Sequence, residues 1–217
     1  MGGLAMMGRV FKRRSDMHLA RKTWHMLGVL LMIAIHERVS REMAITLLLL
    51  TMLVFVVPDI LRQYSTKLNE IFIGLFQSVI RENEVHKLSG NSYLISGVLL
   101  LVLLFPAKIV TLTMFFLAFA DPIASCVGIR YGKDKIMGQK SLQGTVAAFV
   151  ICTLITFIYI RSYGLMTENI LTVSIVAGLI GALSELLPIG KLDDNLTLPL
   201  MSATGLYFLF SSFGVIF

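Results

Sequence analysis

Apolar residues run in seven stretches, Trp24 to Ile35, Met43 to Val57, Tyr93 to Phe105, Ile109 to Val127, Val146 to Ile160, Ile170 to Leu187 and Leu196 to Phe217, with charged residues gathered between them. No other feature constrains the chain as much. A water-soluble domain of 217 residues cannot bury that many apolar segments on all sides, whereas hydrocarbon accepts them. The composition agrees, with 56% hydrophobic and 15% charged residues and a mean hydropathy of +0.82. Backbone polar groups in lipid must pair within their own segment, so the runs are predicted to be helices. The predicted fold is all-α, a polytopic membrane protein with about seven transmembrane helices. Several runs fall short of the ~20 residues that cross a bilayer, so those helices must extend into their flanks.

The basic residues set an orientation. With the N-terminus inside, Arg9, Lys12, Arg13, Arg14, Arg21, Lys22, Arg62, Lys67, Arg81, Lys87, Arg130, Lys133, Lys135, Lys140 and Lys191 lie on the cytoplasmic side, and only Arg38, Arg41, Lys108 and Arg161 lie outside. The net charge of +6 then forms a layer on one face, suited to anionic lipid or a polyanionic substrate. Nucleic acid is excluded as a partner, because the basic residues sit in short loops. No small-residue cleavage site follows the first basic cluster, so residues 1–20 are expected to be a retained cytoplasmic tail and 21–217 a single transmembrane domain. Between the second and third runs, Leu61, Tyr64, Leu68, Ile71, Phe72, Leu75, Phe76 and Val79 recur at helical spacing, which predicts an amphipathic helix at the cytoplasmic interface. No internal repeat of the kind found in two-halved transporters occurs. Cys126 and Cys152 stand in apolar surroundings without metal spacing and are expected to be free thiols.

The chemistry gathers in the stretch ADPIASCVGIRYGKDKIMGQKSLQGT, residues 120–145. Asp121 is an ionisable group at membrane depth, costing about 2.5–3.5 kcal/mol on insertion scales, and such a group has a partner or a task. Pro122 cannot donate to a helix ladder, so a helix break is expected there with Asp121 as N-cap. Beyond it Gly128, Gly132, Gly138 and Gly144 alternate with Arg130, Lys133, Lys135 and Lys140. Glycine lets backbone N–H groups approach phosphate and the cations neutralise it, so the segment reads as a polyphosphate cradle. It is not a Walker A loop, since five residues separate Gly132 from Gly138 and Gln139 intervenes before Lys140. Ser141 and Thr145 suit either a helix cap or a metal.

A second acidic cluster, Glu185 with Asp193, Asp194 and Asn195, flanks the last run. Hard oxygen donors of this kind suit Mg²⁺ bridging substrate phosphates, while the alternative is that Asp193 and Asp194 merely cap the last helix. A nucleoside triphosphate with Mg²⁺ accounts for the basic loop and the acids together. At the first run Arg21 and His25 share a helix face, with Lys22 and Trp24 beside them.

Taken in order, RKTWH, EVHKLSGNSY, DPIASCVGIRYG, KSLQGT and the glutamate followed by DNLTLP resemble the CTP-dependent lipid-alcohol kinases, which include dolichol kinase, phytol kinase and the yeast-type diacylglycerol kinase. The resemblance runs from about Arg21 to the C-terminus. It implies that Arg21, Lys22, Asp121 and Gly128 match important positions. Lys140, Ser141, Gly144 and Thr145 match a nucleotide-associated loop, and Glu185, Asp194 and Asn195 match a late acidic motif; Asp193 is an extra acid, and Ala120 replaces a glycine of some relatives.

The implied activity is transfer of the γ-phosphate of CTP to the hydroxyl of diacylglycerol or a polyprenol-type alcohol. In it Lys140 and the loop of Gly128, Arg130, Gly132, Lys133, Gly138, Ser141, Gly144 and Thr145 hold the phosphates, with Arg21 and Lys22 assisting. Mg²⁺ is assigned to Asp194 and Asn195, with Glu185 a further candidate and Asp121 either a ligand or the base. The runner-up is a phosphatidate cytidylyltransferase, and a reading of another class is a small transporter or lipid-binding membrane protein. No organelle address is recognisable, so a prokaryotic cytoplasmic membrane is expected.

Overall fold

The computed structural model describes residues 17–190 and 192–215. The basic cluster Arg9, Lys12, Arg13 and Arg14, and Lys191, lie outside the described residues. Each apolar run forms a helix. These are α1 (Leu19–His36), α2 (Arg41–Leu61), α4 (Gly90–Leu104), a continuous rod made of α5 (Ala107–Phe115), a π-helical turn (Phe116–Ala120) and α6 (Asp121–Tyr131), then α7 (Leu142–Tyr163), α8 (Ile170–Leu186) and α9 (Asp194–Ser212). The short α3 (Thr66–Phe76) lies between α2 and α4, and a two-stranded hairpin, β1 (Lys135–Met137) and β2 (Lys140–Ser141), joins α6 to α7. Among the described residues, four stretches are long and apolar enough to cross a membrane: 41–64, 107–131, 142–163 and 167–186.

The α5–α6 rod is central, packing on α1, α7, α8 and α9, and its residues Phe116, Leu117, Ala118 and Ala120 are buried. Close helix approach is obtained through small residues, as lipid supplies no hydrophobic drive between helices. A Cβ on Gly178 would stand 2.0 Å from Thr153 Oγ1 and one on Gly181 2.4 Å from Cys152 Sγ, so α8 can lie this near α7 only with glycine at both positions. Large apolar side chains such as Leu53, Val54, Leu104, Ile158, Leu171 and Phe208 point outward and are exposed.

The expected break at Pro122 does not occur. Pro122 sits in the first turn of α6, where a missing N–H is tolerated, and the preceding π-helical turn absorbs the extra residue without ending the rod. Asp121 therefore has helical geometry (φ −60°, ψ −53°) and is not an N-cap. The amphipathic segment is also shorter than expected, only Thr66–Phe76 being α-helical. Its exposed face carries Leu68, Ile71 and Leu75.

Arg62 is not part of a surface charge layer. It is 1% exposed and uses all five N–H groups: Nε on Asp59 Oδ1 (2.6 Å), Nη1 on Asn69 Oδ1 (2.6 Å) and the Val85 carbonyl (2.9 Å), Nη2 on the Glu84 and Lys87 carbonyls (2.9 and 2.6 Å). Asp59 in turn accepts from the Ser89 N–H and hydroxyl and from the Ser92 hydroxyl. This buried knot ties the end of α2 to α3 and to the 82–92 segment that starts α4.

Candidate active site

At one end of the bundle the helix termini enclose a cavity of about 420 Å³, within the size range of small-molecule sites. Twelve of the residues singled out from the sequence line it: Arg21 and Lys22 from α1, Asp121 and Gly128 from α6, Gly138, Lys140 and Ser141 from the hairpin, Gly144 and Thr145 from α7, Glu185 from α8, and Asp194 and Asn195 from α9. Arg130, Gly132 and Lys133 are not brought to it. The Arg130 guanidinium lies 5.5 Å from the Tyr131 ring centre and Lys133 is exposed. Gly132 instead packs where a Cβ would meet the Gly128 carbonyl at 2.2 Å and Ser141 Oγ at 2.5 Å.

The glycines do not form a single phosphate-wrapping loop. Gly128 and Gly144 are inside helices, and they let α6 and α7 touch: a Cβ on Gly144 would sit 2.8 Å from the Ala124 carbonyl and 3.4 Å from the Gly128 Cα. Gly138 takes the first position of the two-residue hairpin turn with φ +57°, a conformation natural to glycine. Ser141 is the N-cap of α7, its Oγ accepting from the Gly144 N–H at 3.2 Å, and the Thr145 hydroxyl donates to the Ser141 carbonyl at 3.2 Å.

The charged groups are held in pairs. Lys140 Nζ lies 2.9 Å from Glu185 Oε1 and also donates to the Glu185 backbone carbonyl, so this carboxylate, expected among the metal ligands, is engaged by the lysine. Lys22 Nζ donates to Ser125 Oγ at 2.7 Å and to the Pro122 carbonyl at 3.3 Å, which fixes it over the start of α6. Arg21 makes a two-pronged contact with Glu84, at 2.6 and 2.7 Å, and a third bond of 2.8 Å to the Val79 carbonyl. Glu84, 3% exposed, also accepts from the Arg81 and Gly90 N–H groups. Glu84, Arg81 and Ser125 were not among the residues assigned a role from sequence. Glu84 opens the EVHKLSGNSY stretch, and an acid just ahead of a Ser-Gly helix start is the signal that marks it.

On the far wall Asp193 caps α9, its carboxylate accepting from the Asn195 N–H at 3.0 Å, as one of the two sequence readings held. Burial, with the neighbouring Asp194 charge, pushes the Asp193 carboxyl up to about 6, against the opposing pull of the Asn195 N–H and Arg81. Asp194, one residue on, lines the cavity, and Asn195 donates from Nδ2 to the Gly90 carbonyl at 3.1 Å. Asp121 and Asp194 both lie near enough to Glu185 to act on it electrostatically. Among the described residues no three His, Cys, Asp or Glu side chains converge as a ready-made metal cage. The lining holds Arg21, Lys22, Arg81, Lys135 and Lys140 against Asp121, Glu185 and Asp194, a positive balance fit for a polyanion.

Fold and site together define a class: a helical membrane protein, with one short hairpin, that carries a charged, polyanion-suited cavity at one end. Over 159 residues the chain is 28% identical to the CTP-dependent diacylglycerol kinase 1 of Schizosaccharomyces pombe, a match covering 69% of this chain and 73% of the relative. It is 31% identical over 150 residues to Uncharacterized protein RP860 of Rickettsia prowazekii, covering 65% and 70%. A third relative, the probable phytol kinase 1, chloroplastic, of Glycine max, is 32% identical over 155 residues, covering 63% of this chain and 49% of the plant protein, so the chain spans about half that relative's length. No family model matches the chain. No solved structure matches it. The activities named among these relatives are those of lipid-alcohol kinases, CTP-dependent in the yeast protein, and the chain is similar to that family.

Proposed function

We propose that this protein transfers the γ-phosphoryl group of CTP to the hydroxyl of a membrane lipid alcohol, diacylglycerol or a polyprenol-type alcohol. One observation carries the reading: five cationic side chains from α1, the 77–89 segment and the hairpin converge on one cavity with Asp121, Asp194 and Asn195. Such transfer depends mainly on positioning and on neutralising charge spread over the transferred oxygens. The lining balance of two positive charges complements the roughly two negative charges of a magnesium–nucleoside triphosphate complex.

Mg²⁺ is typically held by one or two carboxylates with substrate phosphates and water completing its shell, so the lack of a protein cage among the described residues fits it. Asp121, Asp194 and Asn195 would hold it, and the ion would neutralise phosphate charge. Lys22, steadied by Ser125, and Lys140, exchanging Glu185 for phosphate, bind the triphosphate. Arg21, with both terminal nitrogens on Glu84, shapes the wall. Gly128 and Gly144 act by setting the α6–α7 distance.

In this reading all seven long helices cross the bilayer, 21–217 is one catalytic domain, the cavity faces the cytoplasm of a prokaryotic cell, and the exposed apolar face of α3 lies in the interface. The test is to incubate the purified protein with Mg²⁺, γ-labelled CTP and vesicles containing diacylglycerol or a polyprenol. Label on the lipid is expected. Label released as pyrophosphate in the presence of phosphatidate would establish the cytidylyltransferase instead.

A further inference from the structure

The main cavity has a neighbour. A recess of about 20 Å³ is lined by Trp24 of α1, Phe55 of α2, and Phe72 and Phe76 of α3, and it shares Arg21, His25 and Asn195 with the main cavity. That volume takes one or two water-sized groups, which suits a hydroxyl and the carbon bearing it and excludes a nucleotide. The wall between a polyanion-suited space and an aromatic one is where a phosphoryl donor and an apolar alcohol can meet.

His25 stands in that wall, 8% exposed, and its tautomer is set by the fold. In a π-turn each carbonyl reaches for the N–H five residues on. Five on from Leu117 is Pro122, which has no N–H to give. The Leu117 carbonyl is met instead by His25 Nε2 at 2.9 Å. A carbonyl only accepts, so Nε2 carries the proton and Nδ1 of the neutral ring keeps its lone pair. Among the described residues Nδ1 has no protein partner, and it is not one of the buried, partnerless atoms sealed from solvent.

We propose that His25 is the proton acceptor for the lipid hydroxyl, an assignment that rests on the kinase reading above. The Nδ1 lone pair takes the hydroxyl proton as the lipid oxygen bonds to the γ-phosphorus. The bond from that phosphorus to the β–γ bridging oxygen breaks, and its electron pair leaves with CDP. The imidazolium then returns its proton to water, while the Nε2–H bond to Leu117 holds the ring in place throughout. The π-turn and Pro122 thereby become part of the catalytic design.

His25→Gln separates chemistry from architecture, since the amide can still donate to Leu117 but offers no basic nitrogen. The variant is assayed beside the wild type and His25→Ala with diacylglycerol vesicles, Mg²⁺ and γ-labelled CTP. H25Q is expected to lose about 100-fold in kcat, in line with general-base catalysis, with KM for CTP unchanged. Added imidazole is expected to restore part of the activity of H25A. An H25Q kcat close to wild type, a loss confined to KM, or an H25A enzyme that binds CTP but does not respond to imidazole overturns the assignment and leaves the kinase reading standing. A wild-type protein that labels no lipid overturns both.

Discussion

Arg62→Lys tests the buried knot behind the candidate active site. The substitution keeps the charge and most of the aliphatic stem, so what changes is geometry: a five-donor fork becomes a single ammonium with three donors. Arg62 uses all five donors on Asp59, Asn69 and the carbonyls of Glu84, Val85 and Lys87, at 2.6–2.9 Å and 1% exposure. At least two acceptors must therefore go without. Hydrogen bonds to a charged donor contribute about 1.5–3 kcal/mol each, so the loss is about 3 kcal/mol or more. For a chain of this size, that lowers Tm by roughly 6–12 °C. Melting in detergent can be followed with a thiol-reactive dye in a Cys126→Ser background, because Cys126 is partly exposed whereas Cys152 is fully buried until the bundle opens. Three of the acceptors lie in the 84–87 stretch that holds Glu84 against Arg21, so CTP-dependent activity should fade at the same lowered temperature. An R62K protein that melts within about 2 °C of the wild type would refute the reasoning, since that is less than 1 kcal/mol by the same scaling.

Asp121→Asn should insert and melt normally yet lose more than about 100-fold in phosphoryl transfer, checked by turnover at saturating CTP; near-normal turnover removes Asp121 from the site. Asp193→Asn bears on pH. The folded Asp193 pKa of about 6 lies above the 3.8 of an ordinary aspartate, so its stabilising contribution is complete below about pH 4 and is lost as pH rises through about 6. In metal-free detergent D193N should therefore melt higher than the wild type at pH 7, by up to about 3 kcal/mol of stability, and the advantage should vanish by pH 4. Gly144→Val places carbon against the Ala124 carbonyl, where even a Cβ would stand at 2.8 Å, and should cost about 1–3 kcal/mol by forcing α6 from α7. Gly138→Ala meets open space and suffers only from its φ of +57°, so it should melt closer to the wild type than G144V.

Much of this protein was decided locally and was legible in the linear chain. Apolar runs in lipid have no choice but to pair their own backbone groups, so the long helices follow from composition. A charged or strongly polar residue in such surroundings is conspicuous, which is why Arg21, Lys22, Asp121, Lys140, Glu185, Asp194 and Asn195 stand out by inspection; they meet in one cavity.

Partnership was decided only by tertiary structure, because it depends on which helix ends become neighbours. Lys140 meets Glu185 across 45 residues and Arg21 meets Glu84 across 63, and no local pattern encodes either pairing. Gly128 and Gly144 show the same limit from another side. A phosphate-binding loop and a tight helix crossing make one demand, the absence of a Cβ, so residue type cannot tell them apart. Arg62 looked like one more basic residue of a surface layer until α3 and the 82–92 segment closed over it. The proline after Asp121 looked like a helix end; the fold instead threads a π-turn before it, and the carbonyl left over at Leu117 is what holds His25.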